Sequence, residues 1–176
     1  MNIIDTSSGN SSMHKSCGSI KNIPLFKTKE IQYHIDIHKF ENIIFQSMSS
    51  AAFFNELESL KNKNVFSMGK STQDYLSKQG VKSVCPSIPG SEELKKLLSK
   101  NKKSGNYLIV KGENGLNEIS NYLNSSNEYV EEINCYKRFK LQSYENVRNE
   151  FYDADAIIFP STCLLYTSPS PRDGTK

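Results

Sequence analysis

Little in this sequence points to a membrane, a disulfide frame, a metal or a nucleic acid. No apolar run reaches the roughly 20 residues that span a bilayer. The Ser-rich stretch from Met1 to Ser19 lacks the apolar centre of a signal peptide, so a cytoplasmic protein is the expectation. The four cysteines, Cys17, Cys85, Cys135 and Cys163, show no CxxC spacing and fit reduced thiols. His34 and His38 stand four apart with no third ligand near in sequence, and no metal site is expected. The 22 basic and 19 acidic side chains are interspersed, for a net charge of +3, without the concentrated basic face of a nucleic-acid binder. The densest basic cluster, Lys95, Lys96, Lys100, Lys102 and Lys103, reads as a solvated helix end. No Ser–His–Asp or Cys–His grouping is suggested by order or spacing.

What is present is a soluble, slightly polar composition, with 36% hydrophobic and 23% charged residues. A chain of 176 residues holds one domain, or one and a fraction. Strand-like and helix-like segments alternate along it. Asn42 to Ser47 is a short apolar run that predicts a strand buried on both faces. Ser49 to Leu60 follows with Ala52, Phe53, Leu57 and Leu60 at helical spacing, and Ser49 or Ser50 as N-cap. Asn64 to Met68 is the next strand. Lys70 to Gln79 is a helix with Gly80 at its C′ position, and Val81 to Cys85 a short strand ended by Pro86.

Pro89-Gly90-Ser91 reads as a turn whose serine caps a helix from Glu92 to Lys100. Tyr107 to Val110 is a strand, Gly112 to Gly115 a tight loop, Leu116 to Leu123 a helix and Tyr129 to Tyr136 a strand. A helix near Tyr144 to Tyr152 and a strand Ala156 to Phe159 complete the pattern. Ile23 to Ile31 is expected to be extended; Ile3-Ile4 is a candidate strand in an otherwise polar first 22 residues. The alternation argues for βαβ crossovers, and so for an α/β fold with parallel sheets flanked by helices.

The C-terminus reads differently. Cys163 to Asp173, taken back into codons, matches the mosaic end and primer arm of a transposon-based library adaptor over eleven consecutive residues. The alternative is a native Ser/Pro linker. The expectation is that residues 163–176 are non-native and that the native frame stops near Thr162. A fragment with half its cleft absent is expected to be inactive.

Several pieces, in order, resemble the uroporphyrinogen-III synthase family. Phe40-Glu41-Asn42-Ile43-Ile44-Phe45-Gln46-Ser47, continuing Ser50-Ala51-Ala52-Phe53-Phe54, resembles its strand ending in Phe-Thr-Ser and the Ala- and Phe-rich helix after it. Gln46 stands in place of the threonine. Val65-Phe66-Ser67-Met68-Gly69-Lys70-Ser71-Thr72 resembles its strand followed by Gly-Lys-x-Thr. That motif lacks the spaced first glycine of a nucleotide-binding loop. Gly80, Pro86 and Ser91-Glu92-Glu93-Leu94 follow the family's next turn and helix. Leu108 to Gly112 with Gly115 resembles its Arg-Gly-x-x-Gly segment, with Lys111 for the arginine. Asn134 to Arg138 resembles the strand carrying its characteristic tyrosine, here Tyr136. Asp155 to Ser161 resembles a second Phe-x-Ser strand. Asp5-Thr6-Ser7 differs from the family's Thr-Arg-Pro.

The resemblance implies two similar α/β domains joined by a two-stranded ribbon, the second domain of the pair incomplete here. Residues 1–35 would be the first segment of domain 1 plus a ribbon strand, 36–134 the inserted domain 2, and 135–162 the return strand and the start of the second segment. Leu25 to Ile31 would pair with Cys135 to Leu141. The implied activity is that of a cofactor-free hydro-lyase of tetrapyrrole and haem biosynthesis, a monomer whose partner is the small molecule hydroxymethylbilane. Tyr136 would be catalytic, its hydroxyl assisting the departing oxygen. Ser47, Ser49, Gly69, Lys70, Thr72, Ser91, Lys111, Gly112 and Ser161 would bind the substrate's carboxylates at helix starts beyond the strand ends. The bland alternatives stay beside these: the serines and Thr72 as N-caps, the glycines as turn formers, the lysines as surface residues, Tyr136 as a satisfied ribbon tyrosine. The alternative function is a non-catalytic α/β module that binds a small anion or regulates.

Overall fold

The computed structural model describes residues 1–7, 18–101, 103–140 and 145–159. The chain divides into two compact units, one of residues 28–138 and one of residues 1–27 with 139–176.

The larger unit is built on a five-stranded sheet. Its strands are β3 (Phe26–Glu30), β4 (Asn42–Phe45), β5 (Asn64–Ser67), β6 (Tyr107–Gly112) and β7 (Val130–Lys140), in the order β3-β7-β6-β4-β5. β4 pairs in parallel with both β5 and β6, and β6 in parallel with β7. Their carboxyl ends therefore lie along one edge. β4 and β6 are buried along their whole lengths, as unbroken apolar runs in a parallel sheet require.

Side chains alternate across the sheet and divide the core in two. Ile43, Phe45, Leu108 and Val110 pack on one face with Ala51 of helix α1 (Met48–Ala52) and Leu76 of α2 (Lys70–Lys78). Ile44, Tyr107 and Ile109 pack on the other with Leu94 and Leu98 of α3 (Ser91–Lys100) and Ile119 and Leu123 of α4 (Glu118–Ser125). Each fully buried Ile or Leu contributes about 1.5–3 kcal/mol relative to exposure. Asn42, also fully buried, donates to the Ser104 carbonyl (3.2 Å) and accepts from Asn64 (2.9 Å), which keeps its amide satisfied at the head of β4.

The smaller unit carries a parallel three-stranded sheet in the order β2-β1-β8, from β1 (Asn2–Asp5), β2 (Ser19–Asn22) and β8 (Ala156–Ile158), with helix α5 (Glu145–Tyr152). Ile3 and Ile4 are its buried apolar residues on β1, and the Thr6 hydroxyl donates to the Ile158 carbonyl at 2.8 Å.

Four expectations need correction. The segment Ser49 to Leu60 is not one helix. α1 ends at Ala52 because Phe54 turns into the core, edge-on to Phe45 at 5.3 Å, and the Asn55 N–H donates to the Tyr33 hydroxyl; a 3-10 turn follows at Leu57–Leu60. Its N-cap is Ser47, not Ser49 or Ser50; Ser50 reciprocates as the third residue of a capping box. Ser91 does not cap α3 but is its first residue. Gly90 holds the N-cap position at φ 145°, a conformation open to glycine alone. Val81 to Cys85 is extended but contributes a single bridge, Val84 to Phe66, rather than a strand.

Candidate functional site

Among the expected site residues, Ser47, Gly112 and Tyr136 meet beside the carboxyl ends of β4 and β6, and Lys111 precedes Gly112 on β6. Tyr136 sits on β7 and is 3% exposed. Its hydroxyl lies 3.0 Å from the hydroxyl of Ser47, two residues beyond the end of β4. Its ring stacks on Phe53 at 5.8 Å between centroids. The ring's other neighbour is Gly112: a Cβ there would fall 2.5 Å from Tyr136 Cζ. Gly112 pairs with Tyr136 across an irregularity in the β6–β7 register, where the ladder shifts by one residue after Lys111. The Glu113 N–H then donates to the Tyr136 carbonyl at 2.8 Å. A side chain on Gly112 and a phenol ring on Tyr136 cannot share this space.

Lys111 is 5% exposed, and its ammonium is turned inward. It meets the Glu132 carboxylate at 2.7 Å, Asn117 Oδ1 at 2.5 Å and, at 3.5 Å, the Gly115 carbonyl. Three acceptors match its three hydrogens. The loop from Gly112 to Asn117 is thus tied to the sheet by a buried cation. Gln46 adds a second tie, donating to the Leu116 carbonyl at 3.0 Å. The tight loop is closed by the Gly115 N–H on the Gly112 carbonyl (2.9 Å), with Asn114 at φ 62°.

A second group lies at the end of β5. Gly69 is the N-cap of α2 and makes no side-chain cap bond; Lys70 is exposed and Thr72 buried within the first turn. Gly69 lies against Pro89, whose Cβ is 3.1 Å from where a Gly69 Cβ would be. The turn that starts α3 at Ser91 is therefore beside it. The N-cap of α3, Gly90, also makes no side-chain cap bond. Both helices present first-turn N–H groups that their own cap residue leaves open, the arrangement that accepts anions. The first turn of α3 carries Glu92 and Glu93, whereas that of α2 carries no acid. Lys70 bonds Asp74 (3.0 Å) and Gln73 (3.0 Å). Ser49 is half-buried in the first turn of α1. Ser161 lies outside the described residues.

Cys135, next to the tyrosine, points into the core, where its thiol reaches the Ser50 (3.4 Å) and Lys111 (3.5 Å) carbonyls. Burial pushes its pKa up to about 12, which makes it a structural thiol and not a nucleophile. No group of His, Cys, Asp and Glu among the described residues is placed to hold a metal ion, and no helix among them is long and apolar enough to cross a membrane. An open hollow of about 370 Å³ lined by His34, Ile35, Asp36, Lys39 and Glu131 contains none of the expected site residues.

Sequence reasoning missed Phe53, Asn117 and Glu132 as supports. Phe53 was legible only as a helix-face apolar residue. Glu132 is 21 positions from Lys111 and becomes its partner only through the β6–β7 ladder.

These strand-end loops on a parallel sheet with helices on both faces define a mixed α/β protein. The family model for uroporphyrinogen-III synthase HemD matches residues 17–167, and the chain belongs to that family. Family membership implies a role in tetrapyrrole biosynthesis. The fold is similar to the crystal structure of uroporphyrinogen-III synthetase from Helicobacter pylori 26695, with a TM-score of 0.59 at 16% identity over 97% of this chain and 80% of that one. It is also similar to a mutant uroporphyrinogen III synthase from the extremely thermophilic bacterium Thermus thermophilus, with a TM-score of 0.53 at 10% identity over 89% and 71% of the two chains. The comparison with curated proteins gives no match.

Proposed function

We propose that the protein is a uroporphyrinogen-III synthase, a hydro-lyase that closes hydroxymethylbilane into uroporphyrinogen III without a cofactor. The observation that carries the reading is the meeting of Tyr136, Ser47 and Gly112 at one strand edge of a chain belonging to this family. In the reaction the terminal hydroxyl leaves as water and the last pyrrole ring is inverted through a spiro intermediate. Tyr136 donates a hydrogen bond to the departing oxygen, a weak acid placed where negative charge develops.

The substrate's acetate and propionate groups need anion seats. The open start of α2, with Gly69, Lys70 and Thr72, is the best supplied, since it combines free N–H groups, the positive end of a nine-residue helix and a lysine. Ser91 at the start of α3 is a second seat, weakened by its acidic neighbours. Ser49 stands in the first turn of α1, Gly112 lies beside Tyr136 at the end of β6, and Lys111 holds the loop that Gly112 opens. Positioning the linear tetrapyrrole for closure contributes more than the single hydrogen bond from Tyr136.

The test is to feed freshly prepared hydroxymethylbilane to the full-length protein and separate the uroporphyrin I and III isomers after oxidation. Excess isomer III is expected, reduced by Tyr136→Phe. Excess III that is insensitive to Tyr136→Phe would keep the function and remove the tyrosine. Isomer I alone, the spontaneous product, would leave a non-catalytic anion-binding module as the better reading.

A further inference from the structure

We infer that Ser47 is a positioning residue for the Tyr136 hydroxyl and not a seat for a substrate carboxylate. This rests on the synthase reading above. A serine hydroxyl has one hydrogen and two lone pairs. Ser47 Oγ accepts the Ser50 N–H at 3.0 Å, which occupies one lone pair and fixes the oxygen on the turn. The turn is closed in the other direction too: Ser50 Oγ accepts the Ser47 N–H at 3.0 Å and donates to the Ser47 carbonyl at 2.7 Å. The cap that closes α1 therefore engages the Ser47 and Ser50 N–H groups and the Ser50 hydroxyl, and fixes the Ser47 oxygen on the turn. What remains on Ser47 faces the Tyr136 hydroxyl at 3.0 Å, where either oxygen can be the donor.

That freedom is the device. With Tyr136 donating to Ser47, the phenol offers only lone pairs to a ligand. With Ser47 donating to Tyr136, the phenol hydrogen is released toward a departing oxygen while the phenol oxygen keeps a partner. Switching needs only two hydroxyl rotations and moves no heavy atom. A phenol that is itself accepting a hydrogen bond is also a stronger donor. The ring is held between neighbours, because Phe53 stacks on it and Gly112 lies against the ring face over Cζ.

The test uses the full-length protein with Ser47→Ala, Ser47→Gly and Ser47→Thr, each with Tyr136 and with Tyr136→Phe. Glycine is well tolerated at an N-cap, so Ser47→Gly removes the hydroxyl without depending on a variant that folds poorly. Loss of the hydroxyl is expected to lower kcat for isomer III about tenfold, with KM changed less than about twofold. Ser47→Thr should restore kcat. In the Tyr136→Phe background, Ser47→Gly should change kcat by less than about twofold, because its effect passes through the phenol.

The ring-carbon Cζ resonance of Tyr136, identified by its loss in Tyr136→Phe, should move in Ser47→Gly and stay in Ser47→Thr. It reports the bond without turnover. A raised KM with kcat intact, equal in both backgrounds, would place Ser47 on the substrate and overturn the inference. So would an unmoved Cζ resonance. If the unaltered protein yields only isomer I, the synthase reading fails and this role with it, while the resonance still reports whether the hydroxyls are bonded.

Discussion

Replacing Gly112 by alanine isolates one contact. The added Cβ would lie 2.5 Å from Tyr136 Cζ and 2.9 Å from both Cε atoms, against about 3.5–4.0 Å for an unstrained carbon pair. The ring must retreat by about 1 Å to restore that spacing. Such a shift moves the hydroxyl off its present 3.0 Å approach to Ser47. Gly112 is not among the positive-φ residues, so alanine meets no backbone strain. Overpacking of this kind costs about 1–3 kcal/mol, offset by about 0.4–1 kcal/mol from a stiffer unfolded chain. A net loss of about 1–2 kcal/mol is expected in urea unfolding, together with a fall in the yield of isomer III. Tyr136→Leu removes Cζ and both Cε atoms, so in that background Gly112→Ala should cost nothing or stabilise slightly. An equal loss in both backgrounds would show that the ring is not what excludes a side chain at Gly112, and the steric argument would be wrong.

Lys111→Met should destabilise by about 1–3 kcal/mol in urea, because it leaves Glu132 and Asn117 without their cation; Glu132 is partly exposed, which keeps the loss below that of a fully buried pair. The same variant should leave KM for hydroxymethylbilane nearly unchanged if the ammonium serves the loop and not the substrate. Alkaline pH should weaken the fold. The Cys135 thiol, ordinarily near 9.0, is held neutral to about 12 by burial, so its contribution is intact below pH 9 and is lost as pH rises toward 12, at about 1.4 kcal/mol per unit. Tyr33 and Tyr107, raised chiefly by burial, act in the same direction. Urea midpoints between about pH 8 and 10.5 should fall, and Cys135→Ala should flatten the fall. A slope indifferent to Cys135 would contradict its burial.

The buried strands were the most legible part of this chain. Ile43 to Phe45 and Tyr107 to Val110 are unbroken apolar runs bounded by polar or turn residues, as strands of a parallel sheet covered on both faces require. Helix periodicity was less reliable. The spacing of Ala52, Phe53, Leu57 and Leu60 satisfied a helix, yet Phe54, off that face, is the residue the core claims, and its burial against Phe45 ends the helix. Capping was ambiguous for a local reason. Among Ser47, Ser49 and Ser50 the capping residue is decided by where β4 stops, and the apolar run does not mark that stop sharply. The candidate residues could be named only through resemblance, since Ser47 and Tyr136 are 89 positions apart and no local pattern links them. Their meeting depends on the strand order, which no local stretch of sequence specifies.

That separation also has a meaning for synthesis on the ribosome. β4 and β5 can pair early, but β6 and then β7 must emerge before Tyr136 reaches Ser47. At about 5–20 residues per second, the 89 residues between them take about 4–18 s. During that interval first β4 and later β6 is an unpaired sheet edge, and the pocket between Phe53 and Gly112 has no ring in it. The nascent chain is therefore exposed to edge-to-edge association for seconds before Tyr136 can meet Ser47, and slowing translation before β7 would lengthen that exposure.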